Sequence, residues 1–147
     1  MIGIRLAAPL LCVLTLGAAE KKVQMKDLPT AVQQAVRDQT SGAEIKGLSK
    51  EKENGRTQYE VETLINGKSR DLLFDERGGL VEVEQEVALE TLPGPVRAAI
   101  EKHAAGGKIV KVETVTRGGL TTYEGTYNKG GKDHEVGVKA DGSPVKD

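Results

Sequence analysis

Apolar positions along this chain follow a helical period and then an alternating one, and the same succession returns 64 residues later. Leu28, Val32, Ala35 and Val36 are spaced to form one stripe, with Gln33, Gln34, Arg37 and Asp38 on the wet side, so a helix of about three turns is predicted. Leu92, Val96, Ala99 and Ile100 repeat the stripe. Asp27 (Thr91 in the second copy) is placed to accept from first-turn N–H groups, and Pro29 and Pro93 fit a helix start. Gly42 and Gly106 fit its end. Three strands are expected next, at about 44–50, Thr57–Ile65 and Arg70–Asp75, with twins at 108–115, Thr121–Lys129 and His134–Lys139. Asn54-Gly55 and Asn66-Gly67 are hairpin signals between them, matched by Gly118-Gly119 and Gly130-Gly131. Leu80–Val83 reads as the start of a short fourth strand and Glu84–Glu90 as an acidic linker.

The middle strand alternates most clearly. Tyr59, Val61, Thr63 and Ile65 share one face, and Gln58, Glu60, Glu62 and Leu64 the other. A helix stripe needs an apolar cover, and the tyrosine face offers one; the opposite face is left to solvent. With 25–83 set on 89–147, 14 of 59 positions are identical, mostly turn and apolar residues. That pattern marks two copies of one structural unit. The expected fold is therefore α+β, two tandem repeats, each one helix packed on an antiparallel three- to four-stranded β-meander. The expected division is 1–19 as a signal peptide, 20–86 as the first repeat and 87–147 as the second.

The N-terminus supplies the first of these. Arg5 precedes an uncharged apolar run from Leu6 to Leu16, and Gly17-Ala18-Ala19 offers a cleavage point after Ala19. The run is shorter than the ~20 apolar residues of a membrane-spanning helix. Leu11 before Cys12 does not suit a lipid-attachment site. Cys12 is the one cysteine and departs with the signal, which excludes disulfides, a thiol nucleophile and thiolate metal sites from the mature chain. Twenty-one basic and 22 acidic residues nearly cancel, so no field draws nucleic acid or an anionic membrane. After signal cleavage no membrane insertion is expected.

Taken together, Leu-Pro-x-x-Val-x-x-Ala-[Val/Ile], the glycine stop, a following Ile, the Tyr-Glu pairs (Tyr59-Glu60, Tyr123-Glu124), Gly67-Lys68 and Gly131-Lys132, and the late glycine turn carry a resemblance. The chain resembles the PepSY-like family, also called putative β-lactamase-inhibitor-like, over 25–83 and 89–147. The resemblance implies a non-catalytic module outside the cytoplasm, similar to a two-repeat inhibitor that grips an enzyme with the open face of its sheet. That inhibitor uses many aromatics and disulfides; this chain has few of the first and none of the second.

Candidate chemistry is sparse. Alternation sends Asp133 and Glu135 away from His134, and His103 sits near a helix C-terminus, so neither histidine has a ligand set. Glu60 and Glu124 are twins, which suits a repeated surface position better than a catalytic one. Asp75-Glu76-Arg77-Gly78-Gly79 lacks the ladder of a calcium loop and reads as a turn. No nucleophile constellation or phosphate loop is present. Tyr59 and Tyr123 are assigned to the core. The partner-binding candidates are the positions of opposite parity: Gln58, Glu60, Glu62, Leu64, Thr122, Glu124, Thr126 and Asn128. The expected function is a secreted or periplasmic protein-binding module, not an enzyme and without cofactor or metal, with enzyme inhibition one form the binding can take. The partner is an unidentified protein. The alternative is an envelope module that senses a small ligand or ion at the groove between repeats.

Overall fold

A computed structural model describes residues 20–146. Eight antiparallel strands form one continuous sheet whose spatial order is the chain order. They are β1 (Lys21–Lys22), β2 (Glu44–Glu53), β3 (Arg56–Ile65), β4 (Lys68–Asp75), β5 (Leu80–Glu86), β6 (Lys108–Arg117), β7 (Leu120–Lys129) and β8 (Lys132–Val138). Two helices, α1 (Thr30–Gln39) and α2 (Gly94–His103), lie on one face, each after a short 3-10 turn. The two repeats superpose element for element at the 64-residue step, including the register shifts Ile45/Gly47 and Ile109/Lys111. These bulges reset the alternation, so that Ile109 and Val112 both reach the same apolar cluster.

β5 joins the repeats and is longer than the sequence pattern suggests. It pairs with β4 over Leu80–Gln85, closing the first meander, and on its other edge with β6 over Glu82–Glu86. Gln85 and Glu86 face Thr114 and Glu113, as Lys21 and Lys22 face Lys50 and Ser49. The end of β5 therefore does for the second repeat what β1 does for the first. Glu84–Glu86 are strand, not linker, because pairing to β6 satisfies their backbone groups.

Each helix covers its own cluster. Val32 and Val36 of α1 pack with Tyr59, Val61, Leu72 and Phe74. Val96 and Ile100 of α2 pack with Val112, Val136 and Val138, and Tyr123 and Tyr127 line the rim of that cluster. Val32 and Val96 are both fully buried. The helices start later than expected. Pro29 and Pro93 are the N-cap residues, and neither helix has a side-chain cap. Asp27 belongs to the preceding 3-10 turn, where it accepts from the Gln24 N–H at 3.2 Å. Gln33 is half-buried rather than wet, because its Nε2 donates to the Leu28 carbonyl at 3.0 Å.

The turns after β4 and β8 brace the helices. Gly78 and Gly142 have φ of +82° and +81°, and a Cβ on either would lie 2.6 Å from a helix carbonyl oxygen, of Ala31 and Pro95 respectively. Glycine is required there on both counts. Asp75 Oδ1 accepts from the Arg77 and Gly79 N–H groups at 2.8 Å each, which is turn chemistry, as expected.

Candidate functional site: the open face of the sheet

Among the described residues nothing covers the face opposite the helices, and its side chains follow from strand parity. Glu60 of β3 stands beside Leu73 of β4 and then Glu82 of β5. Glu62 stands beside Asp71 and then Glu84. Farther along, Glu86, Glu113 and Glu124 form a third row across β5, β6 and β7. Like charges on facing positions destabilise a sheet, so this concentration of carboxyls needs a physical account.

The sheet is curved. Arg117 at the end of β6 lies 3.5 Å from Glu53 at the end of β2. Four strand spacings on a flat sheet would separate them by about 19 Å. The open face is therefore concave, and side chains from the ends of β2 and β6 reach one another across it. Glu53 and Arg117 occupy equivalent positions in the two repeats, 64 residues apart. Arg117 also donates from Nε to Glu82 Oε2 at 2.6 Å.

Concavity removes the floor from water. Glu124 is 5 % exposed, Glu84 8 %, Gln58 8 % and Thr126 8 %. Glu60, Glu62, Leu64, Thr122 and Asn128 are half-buried. The open face is thus not the wet surface that alternation alone suggests; parity names the side on which a residue stands, whereas curvature decides its solvation. All eight sequence candidates stand on this face or its rim. The alternation did not reveal Asp71, Glu82, Glu84 and Glu113, which are equally part of the floor. The signal available was the run of acids in Glu82–Glu86, at alternate positions of one strand.

Burial, with neighbouring acids adding to it, pushes Glu84 and Glu124 up to about 8. Burial pushes Glu60 and Glu135 up to about 7. Asp71 rises to about 6 by burial, opposed by the Thr63 N–H that donates to its Oδ1 at 3.1 Å. Glu84 and Glu124 are therefore held toward the protonated form at neutral pH, which relieves part of the repulsion. Lys111 pairs with Glu113 at 2.8 Å, and the Ser69 N–H and hydroxyl donate to Glu86 Oε2. Gln58 Oε1 and Glu135 Oε1 are buried without a partner among the described residues. Glu20, Glu60 and Glu62 bring one carboxylate oxygen each within 4.8 Å of one another, at the β1 side. A hard cation placed there would need further oxygens from water, since calcium takes six to eight.

A groove of about 300 Å³ lies on the same face, across the junction of the repeats. Glu53, Glu82 and Glu84 of the first repeat line it together with Val115, Leu120 and Glu124 of the second. The open face and the groove between repeats, two separate sites in the sequence reading, are one continuous surface. The histidines stand apart from it: His134 stacks on Tyr127 at 5.3 Å between ring centres, and His103 ends α2. The N-terminal signal expected at 1–19 lies outside the described residues, and no helix among those described is long and apolar enough to cross a membrane.

An eight-stranded meander with one helix per half is a two-repeat α+β fold, and the family comparison agrees with it. The sequence profile described as "Putative beta-lactamase-inhibitor-like, PepSY-like" matches the chain twice, over 17–82 and 57–142, and the chain belongs to that family. Among solved structures, a "putative periplasmic" protein from Bacteroides eggerthii DSM 20697 is similar, with TM-score 0.65 and 16% identity over 81% of this chain and 86% of that one. A BLIP-like protein from Bacteroides fragilis NCTC 9343 is similar with TM-score 0.57 and 18% identity, over 81% of this chain and 84% of that one. At these identities the likeness concerns the fold. No curated protein matches the chain by sequence.

Proposed function

We propose that this chain is a non-catalytic module of the periplasm or the extracellular space that binds a partner protein with the concave open face of its sheet. The observation that carries the reading is the face itself: a floor of carboxyls on β3 to β7 that no helix among the described residues covers. Such a face suits a partner that presents basic groups, because complementary charge steers encounter and fixes register. Family membership and the fold shared with a BLIP-like protein are consistent with binding of this kind, and inhibition of a bound enzyme is one outcome of it. The expected signal at 1–19 and the periplasmic description of a structural neighbour support the location. The test is capture from the native envelope fraction with tagged protein. Glu60→Gln with Glu124→Gln should reduce capture of the partner, and Gln34→Ala on the exposed side of α1 should not. Equal capture by all three proteins would sink the reading.

A second reading has one observation of its own. The convergence of Glu20, Glu60 and Glu62 within 4.8 Å favours an ion-sensing role at the β1 edge. Titration with calcium, followed by thermal unfolding, should then raise the midpoint, and Glu62→Gln should abolish the rise. No rise at millimolar calcium would remove this alternative.

A further inference from the structure

The two halves of the open face differ at one pair of equivalent positions. Leu73 of β4 stands between Glu60 and Glu82 and is 3 % exposed. Its counterpart 64 residues on is Gly137 of β8, beside Glu124. Around Leu73 the remaining space is about 10 Å³, too small to admit more than one water. Gly137 has no side chain to fill the matching space, and the groove of about 300 Å³ opens there. Among the described residues, one repeat is plugged and the other is open.

We propose that the groove at Gly137 receives a lysine or arginine side chain presented by a partner protein, with Glu84 and Glu124 accepting its charge. This rests on the reading of the open face as a protein-binding surface, and adds the seat and the chemistry of the anchor. The groove residues divide in the way such an anchor needs. Glu82 and Glu53 are already engaged by Arg117. Glu84 and Glu124, each more than nine-tenths buried, line the groove, and no hydrogen bond or ion pair engages them among the described residues. Val115 and Leu120 supply apolar wall, which suits the methylene stem of a long basic side chain. Leu120 is 77 % exposed at the groove margin, where the surface around a protein-borne anchor would cover it. A free amine would leave it bare, and a metal ion would gain no ligands from these walls.

Occupation by a cation should be linked to proton release. The charged groups that act most on Glu84 are Glu82, Glu113, Glu124 and Asp71; those that act most on Glu124 are Glu135, Glu113, Lys111 and Glu82. Acids dominate both lists, and with burial they hold the two carboxyls up to about 8. A cation brought beside them favours the charged form and expels the proton at neutral pH.

The test uses a capped hexapeptide of alternating lysine and leucine, titrated calorimetrically at low ionic strength in two buffers of different ionisation enthalpy. Wild-type protein should bind with a buffer-dependent heat that reports protons released. Gly137→Leu, which installs the plug of the first repeat, should weaken binding roughly tenfold or more and abolish the buffer dependence. Leu120→Ser, at a position too exposed to matter for folding, should weaken binding with the fold intact by circular dichroism. 1,5-Diaminopentane should not compete. Undiminished affinity in both Gly137→Leu and Leu120→Ser, with loss in Glu60→Gln/Glu62→Gln, would overturn the groove and keep the open face. Competition by diaminopentane at the peptide's own affinity would overturn the protein anchor. No binding by the wild type would overturn both readings.

Discussion

Ile100 of α2 rests on Gly125 of β7, so closely that a Cβ on the glycine would lie 2.6 Å from Ile100 Cγ2. In the first repeat the equivalent pair is Val36 and Val61, both fully buried in one cluster. One repeat divides the volume evenly, and the other gives it to the helix and takes it from the strand. Farther along, Leu72 and Phe74 of β4 become Val136 and Val138 of β8, while the tyrosines of β7 line the rim. Interiors are close-packed, so a change at one position must be met by its contact. The repeats have drifted by such matched exchanges under a constant backbone. On the open face the exchange of Leu73 for Gly137 has no such match, and there a groove remains.

The largest loss of stability should come from the larger core. Phe74→Ala is expected to cost about 3–5 kcal/mol and Val138→Ala, at its twin, about 1–3 kcal/mol, as transfer and cavity terms scale with the atoms removed. Chemical denaturation of both variants checks this; equal losses would mean that the two clusters are not packed alike. Next in size is Gly125→Val, which writes the first repeat's residue into the second. Overpacking against Ile100 should cost about 1–3 kcal/mol, and adding Ile100→Val should recover most of it. Failure of the second change to rescue the first would refute the matched exchange.

Glu84 and Glu124 have folded values near 8 against an ordinary 4.5, so the folded chain holds protons that the unfolded chain has lost. A raised folded value adds stability fully below the ordinary value, and the addition drains away as pH rises to the folded one. Stability should therefore fall between about pH 4.5 and 8, by up to about 1.4 kcal/mol per unit for each such carboxyl. Unfolding midpoints measured across that range check the slope, and Glu84→Gln with Glu124→Gln should flatten it. A midpoint that rises from pH 5 to pH 8 would contradict the buried, protonated floor. The smallest effect is expected at Gln34→Ala. Its Nε2 donates to Asp38 Oδ1 at 2.8 Å on the exposed side of α1, and the loss should stay within about 0.5 kcal/mol.

Periodicity and punctuation were enough to read the helices, the hairpins and the duplication, because these rest on local rules. Helical spacing put Val32 and Val96 in the core, and Asn54-Gly55 and Asn66-Gly67 set the turns by their tolerance of positive φ. Strand alternation likewise separated Tyr59 from Glu60. Helix starts were less legible, since Asp27 looks like a cap until the 3-10 turn takes it. What alternation could not carry was anything set by strands distant in sequence. The fusion of the repeats through β5, the meeting of Glu53 with Arg117, and the burial of Glu84 and Glu124 all depend on how far the whole sheet curves. That curvature sums small twists over eight strands, and no short window of sequence contains the sum. Parity along a strand determined which carboxyls share a face; the tertiary structure alone decided that the face is concave and its floor largely withdrawn from water.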